Sequence, residues 1–445
     1  MVSIELEWQN PIDAFAPFAG VPHAHLLHAG DGGNDAEWSI LVATPVEVIE
    51  DANTKSLQRL DEIIHQRSVV PVTEGMDFPF CGGILGYIGY EAASLFEPSL
   101  NIPASPYLLP DISFGVYDAA ALFSVTSKRM FVVGRTEIAC KQLCEALATK
   151  QAMPRSSLPS FQLGSNFSAS DYKNAVNSAI ENILDGDFYQ VNFSHRITAQ
   201  AEVELDAYSI ARRVLSESNS RFGAFLQFDQ GQVVSASPER FFQIECGQQG
   251  GRRILTEPIK GTRPRGKNDD EDILLSGDLL SDPKDCAENI MIADLLRNDL
   301  SRVCDDHSIR EDAICELMTL KNVFHLVSKI SGDLRQGIPF SEILRALFPC
   351  GSITGAPKVE AMRTIARTEK IGRGPYCGAI GYFSDSGRAD FSVAIRTVMV
   401  SGKSLSIPVG GGITLRSDPE KEYRETLDKA KGALSSIGMT AADIR

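Results

Sequence analysis

Between residues 222 and 400 the chain sets apolar runs so close together, with connections so short, that few ways of pairing them remain. Strand-like runs stand at Phe222–Phe228, Gln232–Ser235, Phe241–Ile244, Arg253–Ile259 and Val323–Ile330. A hairpin joins Tyr376–Phe383 to Ala389–Val400 across Asp385-Ser386-Gly387. Tight turns join antiparallel neighbours, whereas a parallel pair needs a crossover of roughly a dozen residues or more, so a doubly wound parallel sheet is disfavoured. Helices punctuate the strands. Ser168-x-x-Asp171 reads as a capping box, and the stripe Tyr172, Ala175, Val176, Ala179, Ile180, Ile183, Leu184 keeps helical spacing until Gly186. Further helices are expected around Ala287–Leu296, at Phe340–Phe348, after Pro357, and from Pro419 with Asp418 as its cap. The pattern predicts an α+β fold over residues 168–445.

The N-terminal part carries shorter β runs (Trp38–Ala43, Met130–Val133), a helical piece at Glu137–Ala148 and the glycine-rich apolar segment CGGILGYIGYEAA at 81–93. A Ser/Pro-rich stretch without periodicity follows. The expected organisation is an N-terminal accessory region (1–150), a linker (151–167) and a main domain (168–445).

Of the 445 residues, 43 are Lys or Arg and 58 Asp or Glu, a formal charge of −15. With 43% hydrophobic and 23% charged residues, global disorder is excluded. The acidic balance argues against a nucleic-acid partner, whose phosphates must be neutralised by Lys and Arg. An anionic metabolite would need local help from arginine, backbone amides or a divalent metal. The opening MVSIELEW has Glu5 and Glu7 where a secretory leader needs basic residues, and no window reaches membrane-span length. A cytoplasmic location with no membrane partner is expected. The nine cysteines are scattered and form no CxxC pair, Cys140 and Cys144 being the closest, so reduced thiols are expected.

Several residues invite chemistry. Arg396 falls mid-strand in Ala389–Val400 among small and apolar neighbours, which implies either a bound anion or an internal salt bridge. The run Gly410-Gly411-Gly412 at a strand end lets backbone N–H groups approach a carboxylate, or is simply a flexible turn. Asp285 with Glu288, and Glu422 with Glu425, stand at i, i+3 on two helices; facing each other they suit Mg²⁺, and singly they are ordinary helix surface. Lys260 leaves a β run into a basic loop, either desolvated and nucleophilic or solvent-facing. Glu239 could serve as a general acid or pair with Arg240, and His325 on an apolar strand reads as a core histidine.

Taken together the strings say more. GDFYQVN (186–192), SPERF (237–241), PIKGT (258–262), AENIMIADLLRND (287–299), GSITGAPK (351–358), YCGAIGYFS (376–384), IRTV (395–398) and GGGI…EYRET (410–426) occur in this order. In order and spacing the chain resembles the chorismate-utilising enzymes, a family of anthranilate, aminodeoxychorismate, isochorismate and salicylate synthases. The likeness is detailed over 168–445, and GGILGYIGYE (82–91) extends it loosely N-terminally. It implies a large, mostly antiparallel two-sheet β core flanked by helices, with an N-terminal accessory lobe, and makes 168–445 the chorismate-binding catalytic domain.

Two positions discriminate within the family. Members that add water carry a lysine base where this chain has Gln190, and glutamine cannot deprotonate water. Anthranilate-forming members typically read PIAGT; the lysine of PIKGT marks the aminodeoxychorismate-forming branch, where it attacks the ring covalently. The resemblance thus implies a transaminase-class transfer of ammonia to chorismate, giving 4-amino-4-deoxychorismate on the way to p-aminobenzoate and folate. Anthranilate formation is the nearest alternative and isochorismate formation a weaker one. It further implies Mg²⁺ held by Glu288 and Glu425, with Asp285 and Glu422 around it. Arg396, Tyr376 and the Gly411 and Gly412 amides would hold the enolpyruvyl carboxylate, with Ser352 near the ring carboxylate and Gln190 and Thr262 in the pocket. Glu239 would be the acid, Lys260 the nucleophile and His325 the ring-orienting group. No GxCxGxQ-like nucleophile string is present, so a glutamine amidotransferase partner is expected to supply ammonia, with ammonium able to replace it. The chain departs from the family pattern at Cys350, at Arg416 and in HAHLLHAG (23–30); the last disfavours regulation by tryptophan.

Overall fold

The computed structural model describes residues 1–30, 37–67, 78–149, 158–218, 220–247 and 251–444. Two large sheets form the centre, one of 12 strands and one of 10, and every pairing between named strands is antiparallel. The first sheet is built around Gln190–Ala201 and Ser404–Thr414, which pair from Gln190↔Thr414 to Gln200↔Ser404. The second is built around Val323–Asp333, Arg252–Glu257, Arg240–Cys246 and Ala389–Val393. The expected α+β, two-sheet antiparallel architecture is what the chain adopts.

Residues 1–150 are woven into both sheets. His25–His28 pairs with Phe222–Phe228 in the first sheet, and Gly83–Ile88 with Ala379–Ser384 in the second. The fully buried Gly83–Ile88 strand accounts for the apolar glycine-rich segment. Residues 151–157 of the expected linker lie outside the described residues, and Phe161–Ser165 is itself a strand on Gln190–Ala201. The largest core cluster mixes both regions: Ile84, Phe114 and Tyr87 pack with Phe242, Phe340 and Phe391.

The helix Ala169–Asp185 starts and stops where its sequence says: Ser168 accepts from Asp171 N, and Gly186 closes it at φ 91°. The helices Pro283–Ser301 and Pro419–Ser436 are capped by Asp282 and Asp418. Among the described residues no helix is long and apolar enough to cross a membrane, and all nine cysteines are free thiols.

Candidate active site

Two of the passages of the chain from one sheet to the other lie side by side. Gly231–Ser237 belongs to the first sheet and Arg240–Cys246 to the second, with Pro238-Glu239 as the passage. Ala389–Val393 belongs to the second and Thr397–Ser401 to the first, with Ala394-Ile395-Arg396 between them. The passages are joined: Ala236 N donates to Arg396 O (3.0 Å) and Val393 N to Glu239 O (3.1 Å). The sheets part here, and a cavity of about 820 Å³ opens beside both passages.

This corrects the expected strand Ala389–Val400. It breaks at Ala394–Arg396, and Arg396 takes φ 52°, a left-handed conformation that costs a non-glycine residue about 1–2 kcal/mol. The exposed guanidinium opens into the cavity, donates to Lys429 O at 3.0 Å, and makes no ion pair among the described residues. Of the two readings of Arg396, the internal salt bridge is therefore absent among the described residues, which leaves the bound anion.

Lys260 is aimed by a β-bulge. Ile259–Pro264 is a strand beside Val323–Asp333, where the sequence suggested a loop after Ile259. Lys260 pairs with Leu326 and Thr262 with His325, so Gly261, at φ 77°, is the extra residue. A side chain at Gly261 would meet Leu279 and Asp285 at 2.8–3.0 Å. The half-buried Lys260 side chain reaches the cavity without an ion pair or hydrogen bond among the described residues. Gly412 makes room for it: a Cβ there would lie 3.2 Å from Lys260 Nζ and 3.0 Å from Gln190 Nε2. His325 lies on the cavity wall; its Nδ1 meets Thr262 Oγ1 at 2.9 Å, and burial pushes its pKa down to about 4, keeping the ring neutral.

Glu239 is 4% exposed, and its Oε1 has no hydrogen-bond partner among the described residues. Burial pushes its pKa up to about 7, against the opposing pull of Ser352 and Lys260. A carboxyl that still holds its proton near neutral pH, in the same cavity as an amine, can donate that proton to a departing hydroxyl. The buried Ser352 and Tyr376 line the cavity, and burial raises the Tyr376 phenol far above its usual range. Cys350 behind Ser352 is inert: burial and then Glu239 push its thiol up to about 12.

The two acidic pairs do face each other across the cavity. Glu422 is buried, which raises its pKa; Glu425 is held below its usual range by Lys429 at 2.7 Å despite burial. Asp285 is tied to Arg263 at 3.0 Å, which removes it from the centre of the set. Among the described residues no three His, Cys, Asp or Glu side chains close into a metal cage. Magnesium needs none, since it keeps waters and takes one or two carboxylates plus substrate oxygens. Glu422 Oε2 and Glu425 Oε1 converge for such an ion beside Gly411, where a Cβ would stand 3.5 and 3.8 Å from them and 3.6 Å from Lys429 Nζ. The hard oxygen donors present fit it.

The glycine run lies inside the strand Ser404–Thr414, two residues short of its end. Its neighbour Thr397–Ser401 pairs only with Ser404–Ser406, so beyond Ser406 alternate amides of the run face no strand. Gln190 and Gly411 sit behind the wall and do not form it. Gln190 is wholly buried, and neither its amide nitrogen nor its oxygen finds a partner among the described residues.

Among the cavity residues that sequence reasoning missed are Asn192, Lys284 and Lys429. Asn192, whose buried Oδ1 has no partner, follows Gln190 by two and shares its strand face. Lys284 and Lys429 stand four before Glu288 and four after Glu425, where helical spacing alone could have placed them on the acidic faces. A second cavity of about 590 Å³ between the sheets involves Leu27–Ala29, Trp38 and Phe222 and is separate from this chemistry.

A family model described as chorismate binding enzyme matches residues 26–435, and the chain belongs to that family. Aminodeoxychorismate synthase component 1 of Salmonella typhimurium is 36% identical to it over 95% of both chains. Anthranilate synthase component 1 of Lactococcus lactis is 31% identical, over 97% of this chain and 98% of its own. The crystal structure of anthranilate synthase component I from Streptococcus pneumoniae matches at 30% identity with a TM-score of 0.78, covering 90% of this chain and 93% of that one.

Proposed function

We propose that this chain aminates chorismate at ring carbon 4 to give 4-amino-4-deoxychorismate, and that Lys260 is its covalent nucleophile. The observation that carries the reading is the pairing of an amine with a protonated acid in one cavity: Lys260 is steered inward by the Gly261 bulge, and Glu239 has a pKa of about 7. The Salmonella typhimurium relative named for this activity supports the same reading.

The ring substrate carries two carboxylates. Arg396 and the free amides of the glycine run would take the enolpyruvyl carboxylate, with Tyr376 against it. Glu288 and Glu425 would hold Mg²⁺, with Glu422 beside them and Asp285 at the margin through Arg263; when bound, the ion neutralises the ring carboxylate. Lys260, as the neutral amine, forms a bond from Nζ to ring carbon 2. The double bond shifts, the carbon–oxygen bond at carbon 4 breaks, and Glu239 protonates the leaving hydroxyl to give water. Ammonia then attacks carbon 4, the double bond shifts back, and the lysine nitrogen leaves carbon 2 with its electron pair. Two successive substitutions with allylic shift permit retention at carbon 4. The neutral His325 keeps the ring against Thr262 without adding positive charge near the nucleophile. Ammonia would come from a glutaminase partner, in a cytoplasmic complex.

The test is product identity. Protein, chorismate, Mg²⁺ and ammonium, followed by an aminodeoxychorismate lyase, should yield p-aminobenzoate; anthranilate as the sole product would overturn the reading in favour of the Lactococcus lactis relative's activity. Lys260→Ala should lose at least about 10²-fold in kcat, a loss typical of removing a group that acts in the chemical step. Full rate in that variant would exclude the covalent step while leaving amination intact.

A further inference from the structure

The metal-holding carboxylates already have a cation among them. Lys284, in the first turn of Pro283–Ser301, projects its Nζ to 3.8 Å from Glu288 Oε1 on its own helix and 3.9 Å from Glu422 Oε1 on Pro419–Ser436. It bridges the two helices that carry the carboxylates that would hold a divalent ion. At those distances the contact is charge alone, for the ammonium makes no hydrogen bond among the described residues. Lys429 differs: it pairs with Glu425 at 2.7 Å and also donates to Gly410 O at 2.9 Å, so it is fixed to the strand. The Lys284 side chain is 39% exposed while that of Glu422 is 6% exposed. A long, flexible stem thus enters from solvent towards a buried carboxylate and can leave the same way.

We propose that Lys284 is the internal counter-ion of the metal-free enzyme: its ammonium stands between Glu288 and Glu422, and it must swing out to admit the divalent cation. This rests on the reading of Glu288 and Glu425 as the metal-holding pair. Metal binding then competes with a cation built into the chain, and the affinity for metal alone is held down. Until metal and substrate arrive, the two carboxylates stay compensated and the helices stay in register.

The experiment measures Mn²⁺ binding by calorimetry to the full chain, without substrate and at fixed ionic strength, for the unmodified protein, Lys284→Gln and Lys284→Arg. Two partly exposed ion pairs would hold affinity down by about two- to twenty-fold, so Lys284→Gln should bind Mn²⁺ tighter by that factor. Lys284→Arg, which keeps the charge, should bind like the unmodified protein. Melting in chelator supplies the second readout. Lys284→Gln should melt lower than the unmodified protein, because Glu288 and Glu422 then lose the ammonium that stands between them, and saturating Mn²⁺ should abolish the difference. Tighter binding with unchanged melting in chelator would mean repulsion from a distance, and would overturn the bridging role. Equal affinity in all three proteins would overturn the inference alone, whereas absence of Mn²⁺ binding in all three would remove the metal-holding reading itself.

Discussion

Glu239 shows how one buried carboxyl links chemistry to stability. It needs its proton to serve as an acid, and its 4% exposure supplies the reason to keep it. Its folded pKa of about 7 lies above the ordinary 4.5. The folded chain therefore retains a proton that the unfolded chain has released, and stability falls as pH rises from 4.5 through 7. Glu239→Gln removes that slope. Its stability relative to the unmodified protein should improve between pH 5 and pH 8 by on the order of 3 kcal/mol in urea unfolding. Its kcat/KM should fall by about 10²–10⁴-fold. A stability difference that does not change with pH would show that the carboxyl is not held protonated. The residues of the site were legible as a set, because Lys260, Glu239 and Arg396 each stand in a string with few alternatives. Their geometry was not. Alternation makes Arg396 a mid-strand side chain and carries no record that the chain leaves one sheet for another at Ala394–Arg396. Gly261, which bulges the strand, reads in the sequence like a loop residue and so sets Lys260 at a strand end.

Elements were legible where a local signal fixed their ends. Ser168, Gly186 and Asp418 did so, and each makes the cap its residue type favours. The helix Asp269–Ser281 went unread, although Asn268 accepts from Glu271 N and Glu271 accepts from Lys267 N; its apolar residues Ile273 and Leu274 face solvent, so no stripe announced it. The strand Arg310–Thr319 was hidden by register shifts around Ala313 and by the left-handed Cys315, which break a period of two. A cap here also bears on the site. Asp418 accepts from Lys421 N at 2.9 Å, and the first two turns it anchors carry Glu422 and Glu425. Asp418→Ala should cost about 1 kcal/mol of stability. By fraying those turns it should also weaken Mn²⁺ binding, both effects being measurable by urea unfolding and calorimetry. Loss of stability with unaltered metal binding would separate the cap from the carboxylates.

At the scale of the whole molecule, five buried groups pull the acid limit in two opposite directions. Burial lowers His25 to about 3 and His195 and His325 to about 4, and raises Glu91 and Glu239 to about 7. The histidines are neutral when folded, so below 6.5 the unfolded chain binds three protons that the folded chain refuses. The glutamates work in the opposite sense, since between 4.5 and 7 the folded chain holds two protons that the unfolded chain has lost. From pH 6.5 down to 4.5 the difference is one proton, a loss of about 1.4 kcal/mol per pH unit. Below 4.5 the glutamates are protonated in both states and stop offsetting, and the loss steepens to about 4 kcal/mol per pH unit until His195 and His325 titrate near 4 and His25 near 3. The urea midpoint should therefore decline gently from pH 6.5 to 5 and drop sharply below 4.5. His195→Asn should soften the lower limb by about a third, because His195, held between Ser165 and Thr426, supplies one of the three protons. A midpoint that falls more steeply above pH 5 than below 4.5 would mean that the two glutamates are ionised in the folded protein, and the acid assigned to Glu239 would fall with them.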